Sequence, residues 1–332
     1  MLPQPKTLAG TRSATAHAVR TAGIIGLGSA IPETVVTNAE IAPAIGVDGA
    51  WIERRTGIRS RRHASPGARL SDLAARAGRA AVGAASVMPQ DLDLILVATL
   101  TADELTPNAA PQVAHAIGAV NAGAIDIGAA CTGFVSALTV AAGLIEAGRA
   151  DTALVIGAEI LSSHLDPGDK RTAALFGDGA GAVVIAAGAE GAIGPAILAC
   201  DGAAASFIRA DRSSGIVRMD GHETFRLAVS ALTSSTRAAV AAAGLELDDV
   251  DLFVFHQANG RILSAVADSL GAPADRVIDV IAELGNTSAA SIPLALAEAV
   301  RRGELRRGAH VLLGAVGAGF NWGAVVVEWG SV

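Results

Sequence analysis

Short runs of Val, Ile and Leu recur along the chain, separated by longer Ala-rich stretches in which apolar residues return every three or four positions. A strand buried on both faces reads as a continuous apolar run of about four to eight residues, whereas a buried helix face needs the longer period. The alternation of the two predicts an α/β protein with sheets covered on both sides. The clearest strands are predicted at 23–27, 92–99, 124–128, 152–156, 181–186, 251–255, 309–314 and 324–328. Helices are predicted at 70–85, 131–147, 223–243, 260–270 and 291–302. No Pro- or Ser-rich linker separates independent domains.

Two stretches of the chain resemble each other. Residues 131–158 and 286–315 both run from a polar opening through a small-residue helix with a Glu near its end, then a turn with Gly and Arg, then an apolar strand. The strands predicted at 92–99 and 251–255 each follow an acidic turn, Pro89-Gln-Asp-Leu-Asp and Leu247-Asp-Asp-Val-Asp. Two similar halves are therefore expected, 21–190 and 191–332, each around a buried central helix, behind a flexible tail over 1–20. Such a duplicated fold gathers helix N-termini and loops at its seam, where ligands commonly bind.

Composition narrows the classes. The 332 residues are 51% hydrophobic and 17% charged, with 38 glycines, the opposite of a disordered chain. Lys and Arg number 25 against 32 Asp and Glu, a net charge of −7, so the basic footprint of a nucleic-acid binder is missing. The uncharged run 127–145 is about as long as the roughly 20 residues of a membrane-spanning helix. However, Asp126 precedes it and Gly128 and Gly133 interrupt it, so it reads as a strand end followed by a helix in the centre of a soluble fold. Two cysteines make no disulfide framework, and residues 1–20 lack the apolar core of a secretory signal, so a cytoplasmic location is expected.

Cys131 follows a predicted strand and opens the most apolar helix, where unpaired N–H groups and the helix dipole favour thiolate. Its alternative is a small buried hydrophobe, the reading adopted for Cys200. His256 directly follows the apolar run Leu252-Phe-Val-Phe, at a strand end where α/β active-site groups gather, although a lone His there is also a common structural residue. Asn286, in Gly285-Asn-Thr-Ser-Ala-Ala-Ser, occupies the second half's counterpart of the Cys131 turn, and is also a good helix cap. Each is ambiguous alone; together, Cys, His and Asn on separate turns of a repeated platform are a nucleophile with two polar partners.

At these residues the chain resembles the β-ketoacyl-acyl carrier protein synthases of type III, within the thiolase-like superfamily. The resemblance spans about residues 22–330 and runs through six motifs in order: Trp51-Ile-Glu-Arg-Arg-Thr-Gly-Ile, Ala130-Cys-Thr-Gly-Phe, Phe176-Gly-Asp-Gly-Ala-Gly-Ala, His256-Gln-Ala-Asn, Gly285-Asn-Thr-Ser-Ala-Ala-Ser and Gly317-Ala-Gly-Phe-Asn-Trp-Gly. It implies a five-layer αβαβα architecture and a Claisen condensation in two stages. An acyl-CoA would load Cys131; malonyl-acyl carrier protein would then lose carbon dioxide and attack the acyl-cysteine. His256 and Asn286 would hold the enolate oxygen, and backbone N–H groups of Cys131 and Ala318 the tetrahedral oxyanions. Trp51, Arg55, Lys170, Arg171, Asn259 and Arg261 would hold CoA, and Thr106 and Phe176 would belong to the acyl pocket. The resemblance further implies a homodimer, with the loop around Thr106 reaching the partner's pocket, and no metal or redox cofactor.

Three departures stand out. No acid immediately precedes Trp51, the segment between Gly202 and Met219 is shorter than the family's flap, and Thr106 stands where Phe is common. Arg54, Arg59, Arg61 and Arg62 are expected to form a basic patch for CoA phosphates or an acidic carrier protein, or simply a solvated charged loop. Two other functions share the scaffold: an acyltransferase passing the group from Cys131 to a hydroxyl or amine, and a non-catalytic partner subunit, against which the intact Cys131, His256 and Asn286 argue.

Overall fold

The structure, a computed structural model, describes residues 20–332, so the expected tail lies outside the described residues except for Arg20, whose guanidinium pairs with Asp151 and reaches the Ala150 carbonyl. The first part of the chain runs β1 (Ala22–Ala30), β2 (Thr34–Thr37), α1 (Asn38–Ile45), α2 (Gly49–Thr56), β3 (Ser60–His63), α3 (Leu70–Ala84), β4 (Leu94–Ala98), α4 (Ala109–Ile117), β5 (Gly123–Ile127), α5 (Gly133–Glu146), β6 (Thr152–Glu159) and β7 (Gly179–Ala187). The rest runs β8 (Ala192–Cys200), β9 (Ile208–Ala210), β10 (Val217–Met219), α6 (Gly221–Ala242), β11 (Leu252–Phe255), α7 (Gly260–Leu270), α8 (Ile281–Leu284), α9 (Ser291–Arg301), β12 (His310–Gly317) and β13 (Asn321–Glu328).

Two sheets share one strand order over four strands, the first adding β5 at its edge. One is β1-β7-β6-β4-β5 and the other, read from its far edge, β8-β13-β12-β11. The correspondence holds in spacing too: β4 and β11 begin at Leu94 and Leu252, α5 and α9 at Gly133 and Ser291, β6 and β12 at Thr152 and His310, an interval of 158 residues each time. Helices α5 and α9 lie between the sheets, α3 and α4 cover the first sheet from outside, and α6 and α7 cover the second. These five layers bury three apolar clusters, one between the sheets around Phe134, Leu138, Ile292 and Leu296, and one beneath each outer helical layer. The architecture is the αβαβα arrangement expected of a thiolase-like fold.

An apolar central helix is stable here because both of its sides meet sheet. Among the described residues no helix is long and apolar enough to cross a membrane, the run 127–145 being divided among β5, a turn and α5. Asp126, beside that run, accepts hydrogen bonds from the N–H groups of Ala109 and Ala110 at 2.9 and 2.7 Å, capping α4. Close packing of α9 on β7 requires glycine, since a Cβ at Gly181 would lie 2.7–2.9 Å from Pro293. The sequence pattern missed β8, an edge strand that is largely accessible and contains Gly194 and Pro195, because edge strands tolerate proline and need no continuous apolar run.

Candidate active site

Cys131 lies in a 3-10 turn, Ala130–Thr132, that leads from β5 into α5, so the α-helix starts at Gly133 rather than at the cysteine as predicted. Ala130 is left-handed, with φ 48°, a conformation that costs a non-glycine residue on the order of 1 kcal/mol and persists only where packing enforces it. The enforcement comes from two neighbours. The turn Ser288–Ala290, which precedes α9 as Ala130–Thr132 precedes α5, packs against it, with Ser288 also left-handed at φ 49°. On the other side, the end of β12 approaches so closely that a Cβ at Gly317 would lie 2.8 Å from both N and Cβ of Cys131, so only glycine fits.

The environment of the sulfur corrects the expectation of a thiolate. Burial pushes the Cys131 thiol up to about 11, the Glu159 carboxylate pushes in the same direction, and hydrogen bonds from Ser288 and from the residue's own N–H oppose them only in part. Desolvation therefore outweighs the helix N-terminus in the unliganded site.

His256 follows β11, which pairs with β12 in parallel; its N–H donates to the Gly314 carbonyl at 2.7 Å and its carbonyl accepts from Ala258 at 2.8 Å. Gln257 pins the loop beneath it. Its N–H donates to Ser291 Oγ, its amide nitrogen to the carbonyls of Phe255 and Ile278, and its amide oxygen accepts from Val280 and Ile281. The imidazole is 2% exposed, and burial pushes its pKa down to about 3, so the ring is neutral at physiological pH. Nδ1 is buried without a partner, which favours the proton on Nε2. Asn286 bridges to Phe176 at the end of its loop; its side-chain oxygen accepts from Ser288 N–H at 2.9 Å and its amide donates to the Ala258 carbonyl at 3.3 Å, leaving a second N–H bond.

Cys131, His256 and Asn286 all line one cavity of about 570 Å³, together with Phe176, Ala318 and the predicted Trp51, Arg55, Lys170, Arg171, Asn259 and Arg261. The three polar residues lie deep, whereas Arg55, Lys170, Arg171 and Arg261 are exposed and set a basic mouth. Arg55 lies over the Trp51 ring at 5.7 Å, Arg261 over Phe225 at 5.6 Å, and the Asn259 amide donates to the Arg55 carbonyl at 3.2 Å. Instead of an acid immediately before Trp51, Asp48 caps α2 by accepting from the Trp51 N–H.

One expectation changes, that for Arg61, and two others take a definite place. Thr106 is exposed and lies outside the cavity of its own chain. Arg61 does not join a surface patch: strand alternation turns it inward, where it donates to Asn38 Oδ1 and the Ala174 carbonyl at 2.9 and 2.5 Å, and burial pushes its pKa down to about 10. The segment 202–219 supplies the cavity wall through the β9–β10 hairpin, with Ile208, Val217 and Met219 facing it. Sequence reasoning also missed Glu159, fully buried beside Cys131; its signal was a single carboxylate ending the apolar run Leu154-Val-Ile-Gly-Ala-Glu.

The sequence patterns described as 3-oxoacyl-[acyl-carrier-protein (ACP)] synthase III and its C-terminal part match residues 125–202 and 240–329. A relative from Streptomyces coelicolor, beta-ketoacyl-[acyl-carrier-protein] synthase III 2, is 45% identical over 92% of this chain and 93% of its own length. The chain belongs to the β-ketoacyl-acyl carrier protein synthase III family. It is thus an acyl-transferring condensing enzyme. Among solved members, the synthase III of Aquifex aeolicus superposes with a TM-score of 0.90 at 39% identity, over 93% of this chain and all of that one. The priming β-ketosynthase of the R1128 polyketide biosynthetic pathway superposes with a TM-score of 0.91 at 36% identity, over 96% of this chain and 99% of that one.

Proposed function

We propose that this enzyme loads an acyl group from an acyl-CoA onto Cys131 and then condenses it with malonyl-acyl carrier protein, priming fatty-acid or polyketide synthesis. The observation that carries the reading is the convergence of Cys131, His256 and Asn286, from three separate turns, on one largely apolar cavity with an arginine- and lysine-rich mouth. Cys131 attacks the thioester carbon, and its own N–H with that of Ala318 stabilises the tetrahedral oxyanion. A neutral His256 presenting Nε2–H and the second N–H of Asn286 are donors fixed in advance for the enolate oxygen formed as carbon dioxide departs. Trp51, Arg55, Lys170, Arg171, Asn259 and Arg261 hold the CoA arm and its phosphates at the mouth, and Phe176 bounds the acyl pocket. The departing carbon dioxide drives the carbon–carbon bond, so no metal or redox cofactor is called for. The matched sheets and the constant spacing support duplicated halves at 21–190 and 191–332.

Intact mass after incubation with a panel of acyl-CoAs, followed by assay of carbon dioxide released from malonyl-acyl carrier protein, tests this function. A Cys131 adduct followed by carbon dioxide release is expected; an adduct discharged to a hydroxyl or amine without carbon dioxide identifies the acyltransferase instead, and no adduct overturns both.

A cytoplasmic homodimer belongs to the same reading. The dimer is supported by β5, an edge strand with Ile125 46% exposed, and by Leu105, 87% exposed beside Thr106 on a loop outside its own chain's cavity. Light scattering on the eluting protein should give twice the chain mass; a monomer at assay concentration would remove Thr106 from the acyl pocket altogether.

A further inference from the structure

The condensation described above leaves one buried carboxylate unused. Glu159 ends β6 with no exposed surface, accepting hydrogen bonds from Thr101 Oγ1 at 2.7 Å, Ser288 Oγ at 3.1 Å, Leu100 N–H at 3.2 Å and Thr99 Oγ1 at 3.3 Å. Among the described residues no arginine or lysine pairs with it. Ser288 also lines the cavity beside Cys131, on the turn packed against the cysteine's own, and its hydroxyl turned to the sulfur pulls the thiol's pKa down. A hydroxyl has one proton: turned to Glu159 at 3.1 Å it leaves its lone pairs to receive the thiol proton, and turned to the sulfur it steadies the thiolate. Thiol, hydroxyl and carboxylate thus stand in series, with Ser288 Oγ between Cys131 and Glu159 Oε1.

We propose that Glu159 takes the Cys131 proton through Ser288 when the acyl group is loaded and stores it until the thiol is regenerated. The proposal rests on Cys131 being the acyl acceptor. In loading, the sulfur–carbon bond to Cys131 forms, the carbon–sulfur bond to CoA breaks, the thiol proton passes to Ser288 as the Ser288 proton passes to Glu159, and CoA leaves as a thiolate that water protonates. In condensation, malonyl thioester loses carbon dioxide, the enolate carbon bonds to the acyl carbon, and the acyl–sulfur bond breaks. The Cys131 thiolate then recovers the proton from Glu159 by the reverse path. One proton enters per turnover, the number that the overall reaction consumes.

Storage on Glu159 also removes its negative charge while the enolate forms nearby. His256 is a poor store, since burial holds its pKa near 3, whereas burial pushes Glu159 up to about 7, within reach of either state. Of the other ionisable groups, Cys131 faces Glu159 from the turn before α5, and His256 lines the cavity that Cys131 lines. Asp103, Asp126 and Asp178 are occupied by N–H groups at Leu70, Ala109 and Ala64.

The test is the rate of acyl-Cys131 formation by quenched intact mass across the neutral range, with acyl-CoA as donor, for wild type, Glu159→Gln and Ser288→Ala, each checked for a native melt. Wild-type loading should rise with pH through about 7, because only ionised Glu159 accepts the proton. Either variant should load on the order of 10²-fold more slowly at neutral pH, with a rate that climbs toward the thiol's own titration instead of levelling. Variants that keep the wild-type midpoint, at whatever rate, would reduce Glu159 to scaffolding and overturn the relay alone. A wild type that takes no acyl group from CoA overturns the relay and the Cys131 assignment together.

Discussion

Cys131→Ala is expected to abolish the acyl adduct with every CoA thioester, a loss on the order of 10⁴-fold or more, because removing the nucleophile costs about as much as removing its whole constellation. Intact mass on the variant and wild type, run side by side, reads this directly. The fold should survive, because the change removes only the sulfur and alanine fits the turn without a new contact at Gly317. Persistence of the adduct would place it elsewhere, with the exposed Cys200 as the first position to map.

His256→Ala and Asn286→Ala should separate the two stages. Both should load acyl groups, yet each should release carbon dioxide from malonyl-acyl carrier protein about 10²- to 10³-fold more slowly, the cost of about 3–4 kcal/mol for a lost donor to a developing oxyanion. The two losses should not add, since both donors serve one oxygen. Because burial holds the His256 pKa near 3, the ring stays neutral on both sides of pH 6.5. Decarboxylation by the pre-acylated enzyme should therefore show no inflection there, and one that vanished with His256→Ala would contradict a neutral donor. Normal condensation by either variant would remove that residue from the mechanism.

The three deep residues were legible because each carries unusual chemistry at the end of an apolar run, where a strand gives way to a turn. The paired helices and strands were legible because burial on both sides writes long apolar runs into α5, β6 and β12. What the sequence hid was whatever depends on contacts between distant turns. The thiolate expectation for Cys131 weighed the helix terminus but could not weigh burial beneath the end of β12 or the carboxylate of Glu159, which lies 28 residues on in the chain (159 against 131). Arg61 read as solvated because its neighbours are charged, yet alternation along the short β3 strand sends it inward to Asn38. Glu159 was overlooked because a carboxylate at a strand end is ordinarily solvated; only the fold shows three hydroxyls and an N–H gathered around it.

The paired 3-10 turns also bear on how many acyl groups the proposed loading can place on one chain. In the second turn the position matching Cys131 is Ala289, fully buried, absent from the cavity wall and within 3.5 Å of where a Cβ on Gly133 would lie. Alanine there carries no nucleophile and faces packed interior, so the second turn offers no place for a second thioester. On the proposed loading of Cys131, each chain is expected to take a single acyl group, and the second turn with the loop before it brings Ser288 and Asn286 to the cavity of the cysteine it does not itself possess.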